Sequence, residues 1–173
     1  TRVLRDAHAK AHGCVKAEVT VRADLEETLR HGVLSEPGKS WQAWMRLSNG
    51  NAYPQFDRAR DARGMAIKLL DVPGGKLLAN PRHAREQDLV MFNHPAFFVR
   101  DVAEYQSNFA AQADGKKALA FFPSWDPRSW EIRHLVIALK TLSPAPDSPV
   151  ETTYNSIAPF KLGPHNIKYR VTP

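Results

Sequence analysis

Apolar and polar residues alternate along the stretch CVKAEVTVR, residues 14–22. In an extended chain, Val15, Ala17, Val19 and Val21 share one face. This period of two predicts a half-buried β-strand. Five further segments, bounded by Gly, Pro or polar turns, are also predicted as strands: SWQAWMRLSN, GMAIKLLDV, DLVMFNHPAFFV, APFKL and IKYRV.

Helical spacing replaces this alternation in three segments. The stretch ADLEETLRHGV places Leu25 and Leu29 four residues apart, with Gly32 positioned to end a short helix. Between Val102 and about Leu142, VAEYQSNFAAQ and SWEIRHLVIALKTL predict two longer helices. The apolar stripe expected on the last helix consists of Trp130, His134, Ile137 and Leu142.

The order of these elements predicts an α+β fold in one domain spanning residues 1–173. An antiparallel β unit covers about 14–100, a helical insertion covers about 102–142, and strands resume over 154–173. About six strands around one core leave two open edges, which natural proteins usually cover or close. Either another element protects these edges or strands are missing from this chain.

Composition excludes several classes of protein. No apolar run approaches the length of a membrane span, so we expect no membrane insertion. The first residues lack the apolar core of a signal peptide, which leaves the localisation unknown, cytoplasmic or periplasmic. Cys14 is the single cysteine, so an intramolecular disulfide is excluded.

The chain is basic, with a formal net charge of +6 and a pI near 9.6. Such a charge invites a nucleic-acid interpretation. However, Asp57 and Asp61 interrupt the densest basic run, DRARDARG, and no nucleic-acid motif accompanies it. We expect no nucleic-acid partner, because an anionic small molecule fits the same charge equally well.

The opening stretch RDAHAKAHGC holds two histidines and a thiol. His8 and His12 lie four residues apart, as two zinc ligands on one helix face would. Gly13 argues against a continuing helix, the glutamate base of a zinc protease motif is absent, and the other histidines are isolated. Cys14 could act as a nucleophile beside a histidine, but a small residue entering a strand is the simpler interpretation. No metal site is predicted.

Four segments, taken in order, resemble successive motifs of the haem-dependent catalase family: RDAHAKAHGCVKAEVTV, RLSNG, DARGMAIKLL and QDLVMFNHPAFFVRD. NIKYRVTP is similar to a later barrel strand of that family. The resemblance runs from about residue 5 to 105 and resumes near 154. It looks most like the small catalase-related branch, the catalase-like peroxidases, with the N-terminal half of the barrel alone. The resemblance implies a catalase-like barrel and a haem b cofactor.

The resemblance also implies roles for individual residues. His8 matches the distal histidine that accepts a peroxide proton and returns it to the leaving oxygen, and Ser48 matches the serine that orients this histidine. Arg5 and Arg46 match arginines that bind the haem propionates. The aromatic residues expected beside the haem are Phe97, Phe98 and Tyr105.

Phe92 departs from the family pattern, because it stands where the family has its distal asparagine. Asn93 matches the next asparagine of the motif, and we place it with His8 and Ser48 in the expected catalytic set. A shift of one residue in a strand turns a side chain to the opposite face, so Asn93 does not simply replace the missing amide. We expect weaker hydrogen peroxide dismutation and more peroxidase-like chemistry.

A second departure concerns the iron. The family holds it with a tyrosinate in an Arg-x-x-x-Tyr helix, and no such segment occurs here, so the axial ligand is not identified. We expect either a missing C-terminal half or a homo-oligomer. The expected function is a haem-dependent oxidoreductase, peroxidase or catalase, that uses hydrogen peroxide or an organic hydroperoxide and an unknown reductant. The alternative is a non-enzymatic incomplete barrel that binds a ligand or assembles with another chain.

Overall fold

The computed structural model describes residues 5, 7–76, 85–113, 126–142 and 146–173. Its two α-helices are α1 (Val102–Ala113) and α2 (Ile132–Thr141). Its strands are β1 (Ala11–Thr20), β2 (Ser40–Asn49), β3 (Arg63–Leu70), β4 (Glu86–Phe92), β5 (Tyr154–Ser156), β6 (Phe160–Leu162), β7 (His165–Ile167) and β8 (Arg170–Val171).

Six of these strands form one curled antiparallel sheet in the order β1-β2-β3-β4-β5-β8, and β6 and β7 form a separate hairpin. The predicted fold, an incomplete antiparallel barrel with a helical insertion, is confirmed. The predicted strand IKYRV is divided between two sheets, since β7 pairs with β6 whereas β8 pairs with β5. That the fold forms a single domain over 1–173 stays a prediction.

One face of the sheet, called here the core face, carries the buried apolar side chains. Alternate residues of β2 and β3 supply most of them, because successive side chains of a strand point to opposite faces. The buried apolar residues are Val21, Trp41, Ala43, Leu47, Met65, Ile67, Leu69, Met91, Phe92 and Tyr154, of which all but Phe92 form one cluster. As the alternation of β1 predicted, Ala17 and Val19 pack against this cluster, but Val15 is 48% exposed.

The opposite face, called here the site face, carries a row of residues that the strand register aligns. Ser48 of β2 pairs with Gly64 of β3, and Gly64 pairs with Phe92 of β4. Arg46 follows the same face of β2 two residues before Ser48. The sheet thus brings together three sequence segments that lie up to forty-six residues apart, from Arg46 to Phe92.

Two predicted elements are wrong in type or extent. The helix expected in residues 23–33 is a pair of 3₁₀ turns, Glu27–Leu29 and Gly32–Leu34. One apolar pair four residues apart buries too little surface to offset the cost of nucleating an α-helix. The strand expected over DLVMFNHPAFFV ends at Phe92, three residues before Pro95, which cannot donate to a sheet ladder.

The two longer helices are confirmed at Val102–Ala113 and Ile132–Thr141. Of the stripe predicted on the second helix, His134 is buried, whereas Trp130 precedes the helix and Leu142 caps it, each about two-fifths exposed. The stripe prediction is therefore wrong at its ends. Among the described residues, no helix is long and apolar enough to cross a bilayer.

Candidate functional site

His8 lies at the edge of the sheet in an unusual backbone conformation. Its φ angle is 55°, in the left-handed region that non-glycine residues rarely adopt. Its N–H donates to the Gly50 carbonyl at 3.1 Å, and its own carbonyl accepts from Arg46 Nη2 at 2.6 Å. Such a conformation costs on the order of 1–3 kcal/mol and persists only where the surroundings enforce it. These hydrogen bonds fix the position of His8 against the site face.

The His8 ring is oriented by Ser48. The distance from His8 Nδ1 to Ser48 Oγ is 3.0 Å, and the Ser48 side chain is buried. If Nδ1 carries the ring proton and donates it to Ser48, the opposite nitrogen, Nε2, keeps its lone pair as a proton acceptor. The structure thus brings these two predicted catalytic residues into direct contact.

Gly64 provides the surface under the His8 ring, and sequence analysis did not single it out. A Cβ atom at this position would lie 2.6 Å from His8 Cε1 and 2.8 Å from Nδ1. It would also lie 3.1 Å from Ser48 Oγ. Only glycine allows the imidazole to lie this close to β3. The available signal was the glycine that begins the predicted strand GMAIKLLDV, because a glycine in a strand often marks a close approach.

The electrostatic surroundings favour the neutral form of the His8 ring. Burial, followed by the positive charge of Arg46, lowers the pKa of His8 below its ordinary value of 6.5, and Asp61 partly opposes this shift. A histidine in this state is uncharged at neutral pH. It can therefore accept a proton from an acidic substrate.

Arg46 and Arg5 form a cationic pair near His8. Burial and the nearby positive charge of Arg5 lower the pKa of Arg46. Arg5 itself is exposed. Two guanidinium groups close enough to repel each other suit a ligand with carboxylate groups, which would relieve the repulsion. Cys14 pairs with Arg46 across the β1–β2 ladder, and its thiol is exposed.

Phe92 continues the site face beyond Gly64 with an aromatic cluster. Its buried ring meets Phe97 edge-to-face, with ring centroids 5.6 Å apart. Phe97 also contacts Phe98 at 4.8 Å and stacks on Tyr105 at 6.1 Å. The three aromatic residues predicted beside a cofactor therefore do come together, and Phe92 connects them to the row containing Ser48 and Gly64.

Asn93 has a different setting from Phe92. Its Oδ1 accepts a hydrogen bond from the Arg63 backbone N–H at 2.9 Å, and its Nδ2 donates to the Thr141 carbonyl at 3.2 Å. These bonds connect the start of β3 to the end of α2. The residue opposite Gly64 is Phe92, as the one-residue shift implied. A catalytic role for Asn93 stays a prediction.

The four tyrosines differ in burial and in hydrogen-bond partners. Tyr154 is fully buried and donates to the Pro149 carbonyl at 2.8 Å, while the hydroxyl of Tyr169 accepts from Val90 N–H at 3.2 Å. Burial raises the pKa of both hydroxyls, which opposes formation of a tyrosinate. Tyr53 is exposed and Tyr105 belongs to the aromatic cluster. Within the described ranges, no group of three or more His, Cys, Asp or Glu residues could hold a metal ion.

Comparison with known proteins identifies the family. The catalase family model matches residues 3–126. The chain therefore belongs to the catalase family.

Among curated relatives, catalase easC of Arthroderma otae is 30% identical over 125 residues, which cover 70% of this chain and 23% of that protein. A catalase of Methanosarcina barkeri is 33% identical over 102 residues, 58% of this chain and 18% of that protein. The crystal structure of a fungal catalase matches the fold with a TM-score of 0.64 at 22% identity, covering 91% of this chain and 30% of that one. This chain thus spans about a quarter of the length of the curated relatives it matches.

Proposed function

We propose that this chain supplies the distal half of a haem-dependent oxidoreductase, of the catalase-like peroxidase branch, that acts on hydrogen peroxide or an organic hydroperoxide. The observation that carries this proposal is the 3.0 Å contact between His8 Nδ1 and Ser48 Oγ. When Nδ1 donates its proton to Ser48, Nε2 of the neutral imidazole is the proton acceptor. A ring held in one orientation is what a proton relay requires.

The proton relay is performed by His8. Haem, when bound, would supply the redox chemistry that cleaves the O–O bond of the peroxide. His8 Nε2 accepts the proton of the peroxide oxygen that binds, and then returns it to the oxygen that leaves as water or alcohol. Ser48 holds the ring in place during both transfers, and the lowered pKa of His8 favours the first.

The residues of the site face fit the distal side of a haem. Arg5 and Arg46 would bind its propionates, because guanidinium groups form paired hydrogen bonds with carboxylates. Phe97, Phe98 and Tyr105 would pack against its apolar surface. The iron ligand is not among the groups described above, so we propose that it comes from a longer form of this protein or from another copy in a homo-oligomer. The reductant is unknown.

Phe92 favours peroxidase chemistry over dismutation. In dismutation, a second hydrogen peroxide molecule must be positioned at the same site. The family's asparagine offers an amide for this purpose, whereas Phe92 offers an apolar ring in an aromatic cluster. An apolar ring suits contact with an organic hydroperoxide better than with a second small polar peroxide.

The first experiment adds haemin to the purified protein and records the absorption spectrum. A Soret band is expected, and it should persist in His8→Ala while the reaction with peroxide is lost. Phe92→Asn should increase dismutation, measured as oxygen release, relative to peroxidase turnover. No gain in dismutation would contradict the role given to Phe92.

The alternative proposal is an incomplete barrel that has lost haem ligation and binds another ligand or another chain. The settings of the four tyrosines favour this alternative. If this chain retains no haem after unbound haemin is removed, and a form extended past residue 173 retains none either, the alternative is supported and the enzymatic proposal is refuted. Spectra recorded with the chain extended past residue 173 distinguish the two, because a continuation carrying the iron ligand restores the Soret band.

A further inference from the structure

The core face of the sheet ends in two buried polar residues that the peroxide site does not use. Asn49 of β2 and Arg63 of β3 are direct cross-strand partners. Both are almost completely buried, with 0% and 2% of their surface exposed. By strand alternation they lie on the same face as Leu47 and Met65, opposite Ser48 and Gly64.

Arg63 carries a buried positive charge without a salt bridge to any carboxylate within the described part of the chain. Its Nη2 donates to the carbonyls of Asp57 and Ala59 at 2.7 and 2.8 Å, and its Nη1 donates to Asn49 Oδ1. These three acceptors leave part of the guanidinium's N–H capacity unused. A buried charge in this state is costly unless a counter-charge reaches it.

The neighbours of Arg63 add further hydrogen-bond donors. Asn49 Nδ2 is buried and has no hydrogen-bond partner among the described residues. The His12 ring contacts Asn49 Oδ1 through Nε2 and the Asp57 carboxylate through Nδ1, the latter at 3.1 Å. Asp57 also binds Lys10 at 2.8 Å, so its negative charge is shared with two other side chains. The cluster therefore has an excess of donors over acceptors.

A cavity of about 650 Å³ opens beside this cluster. Its wall includes His12, Leu47, Asp57, Arg58, Arg63 and Asp147. The buried guanidinium forms part of the wall, and the exposed Arg58 brings a second positive charge to it. The volume is sufficient for a small organic ligand.

We propose that this cavity binds a small anion with carboxylate or phosphate chemistry, held by Arg63 on the face of the sheet opposite His8. The anion would accept hydrogen bonds from the remaining N–H groups of Arg63, which line the cavity. Arg58 would hold its outer part. This site is separate from the peroxide site and does not depend on haem.

The test uses the full chain and two probes, inorganic phosphate and acetate, each compared with chloride at equal pH and ionic strength. NMR signals of the histidine rings report the location of the bound ion. We expect a saturable shift of the His12 signal with at least one probe, whether or not the His8 signal, near Arg5 and Arg46, also shifts. The stronger of the two probes identifies whether phosphate or carboxylate chemistry is preferred.

Substitutions then identify the binding groups. Arg58→Gln should weaken binding of the anion about threefold. Arg63→Lys, which keeps the positive charge but loses the planar guanidinium, should weaken it about fivefold or more. The matched control is Arg60→Gln, an equally exposed residue outside the cavity wall, which should leave affinity unchanged. Circular dichroism checks the fold of each variant. If Arg63→Lys fails to fold, Arg58→Gln and the His12 signal decide the outcome.

Three results would overturn the proposal. The first is a shift of His12 that never saturates with either probe. The second is a shift confined to His8, which would locate the anion on the site face. The third is equal weakening by Arg58→Gln and Arg60→Gln, which would show that only the overall charge attracts the ion.

Discussion

Replacing Gly64 with alanine tests whether the sheet surface positions the His8 ring. The added Cβ would lie 2.6 Å from His8 Cε1 and 2.8 Å from His8 Nδ1. Carbon atoms in contact normally lie about 3.5–4.0 Å apart, so the ring must move by about 1 Å. Such a movement breaks the 3.0 Å contact with Ser48.

The expected cost follows from three contributions. Overpacking costs about 1–3 kcal/mol, and the lost hydrogen bond costs about 1 kcal/mol. Replacing glycine inside a strand returns about 0.5–1 kcal/mol of conformational free energy. Gly64→Ala should therefore lower the free energy of unfolding by about 1–3.5 kcal/mol. If haem loading is achieved, a 1 Å displacement of His8 should reduce peroxide turnover by about 100-fold.

Chemical denaturation measures the change in the free energy of unfolding. A double-mutant cycle shows how much of that change comes from the contact with the His8 ring. In a His8→Gly background the ring is absent, so the destabilisation by Gly64→Ala should fall by at least half. The remaining destabilisation comes from the close approach of the new Cβ to Ser48 Oγ, at 3.1 Å. Gly13→Ala is the matched control, because a Cβ there meets nothing within 4 Å. An equal cost of Gly64→Ala with and without the His8 ring would refute the reasoning.

Three further predictions concern the same site. The His8→Gly variant should be about 1 kcal/mol more stable than His8→Ala, because alanine is strained at a φ of 55° and glycine is not. Equal unfolding midpoints of the two variants would contradict this. The pKa of His8 in the folded protein lies below its unfolded value of 6.5, so the unfolded chain binds the proton first as the pH falls. The free energy of unfolding should therefore decrease as the pH drops from about 6.5 toward the lowered pKa. His8→Gly should flatten that part of a pH–stability curve. Ser48→Ala should cost about 1 kcal/mol and change the His8 tautomer ratio, read from ¹⁵N chemical shifts.

The sequence by itself determined the elements with strong local patterns. Alternation located β1, apolar segments bounded by turn residues located β2, β3 and most of β4, and helical spacing located both longer helices. The motif order also led to the catalase family and to His8, Ser48 and Arg46, because these residues stand at fixed distances from recognisable strands. Patterns of this kind depend on neighbours along the chain, so they can be read without the fold.

Only the tertiary structure decided what depends on register and close approach. Gly64 matters because β3 passes beneath a ring from a segment fifty-six residues earlier in the chain. The pairing of β3 with β4 places Phe92 rather than Asn93 opposite Gly64, so that an apolar ring lines the site. The buried pair of Asn49 and Arg63 likewise exists through pairing of β2 with β3. Such contacts are non-local, and no pattern within a single segment encodes them.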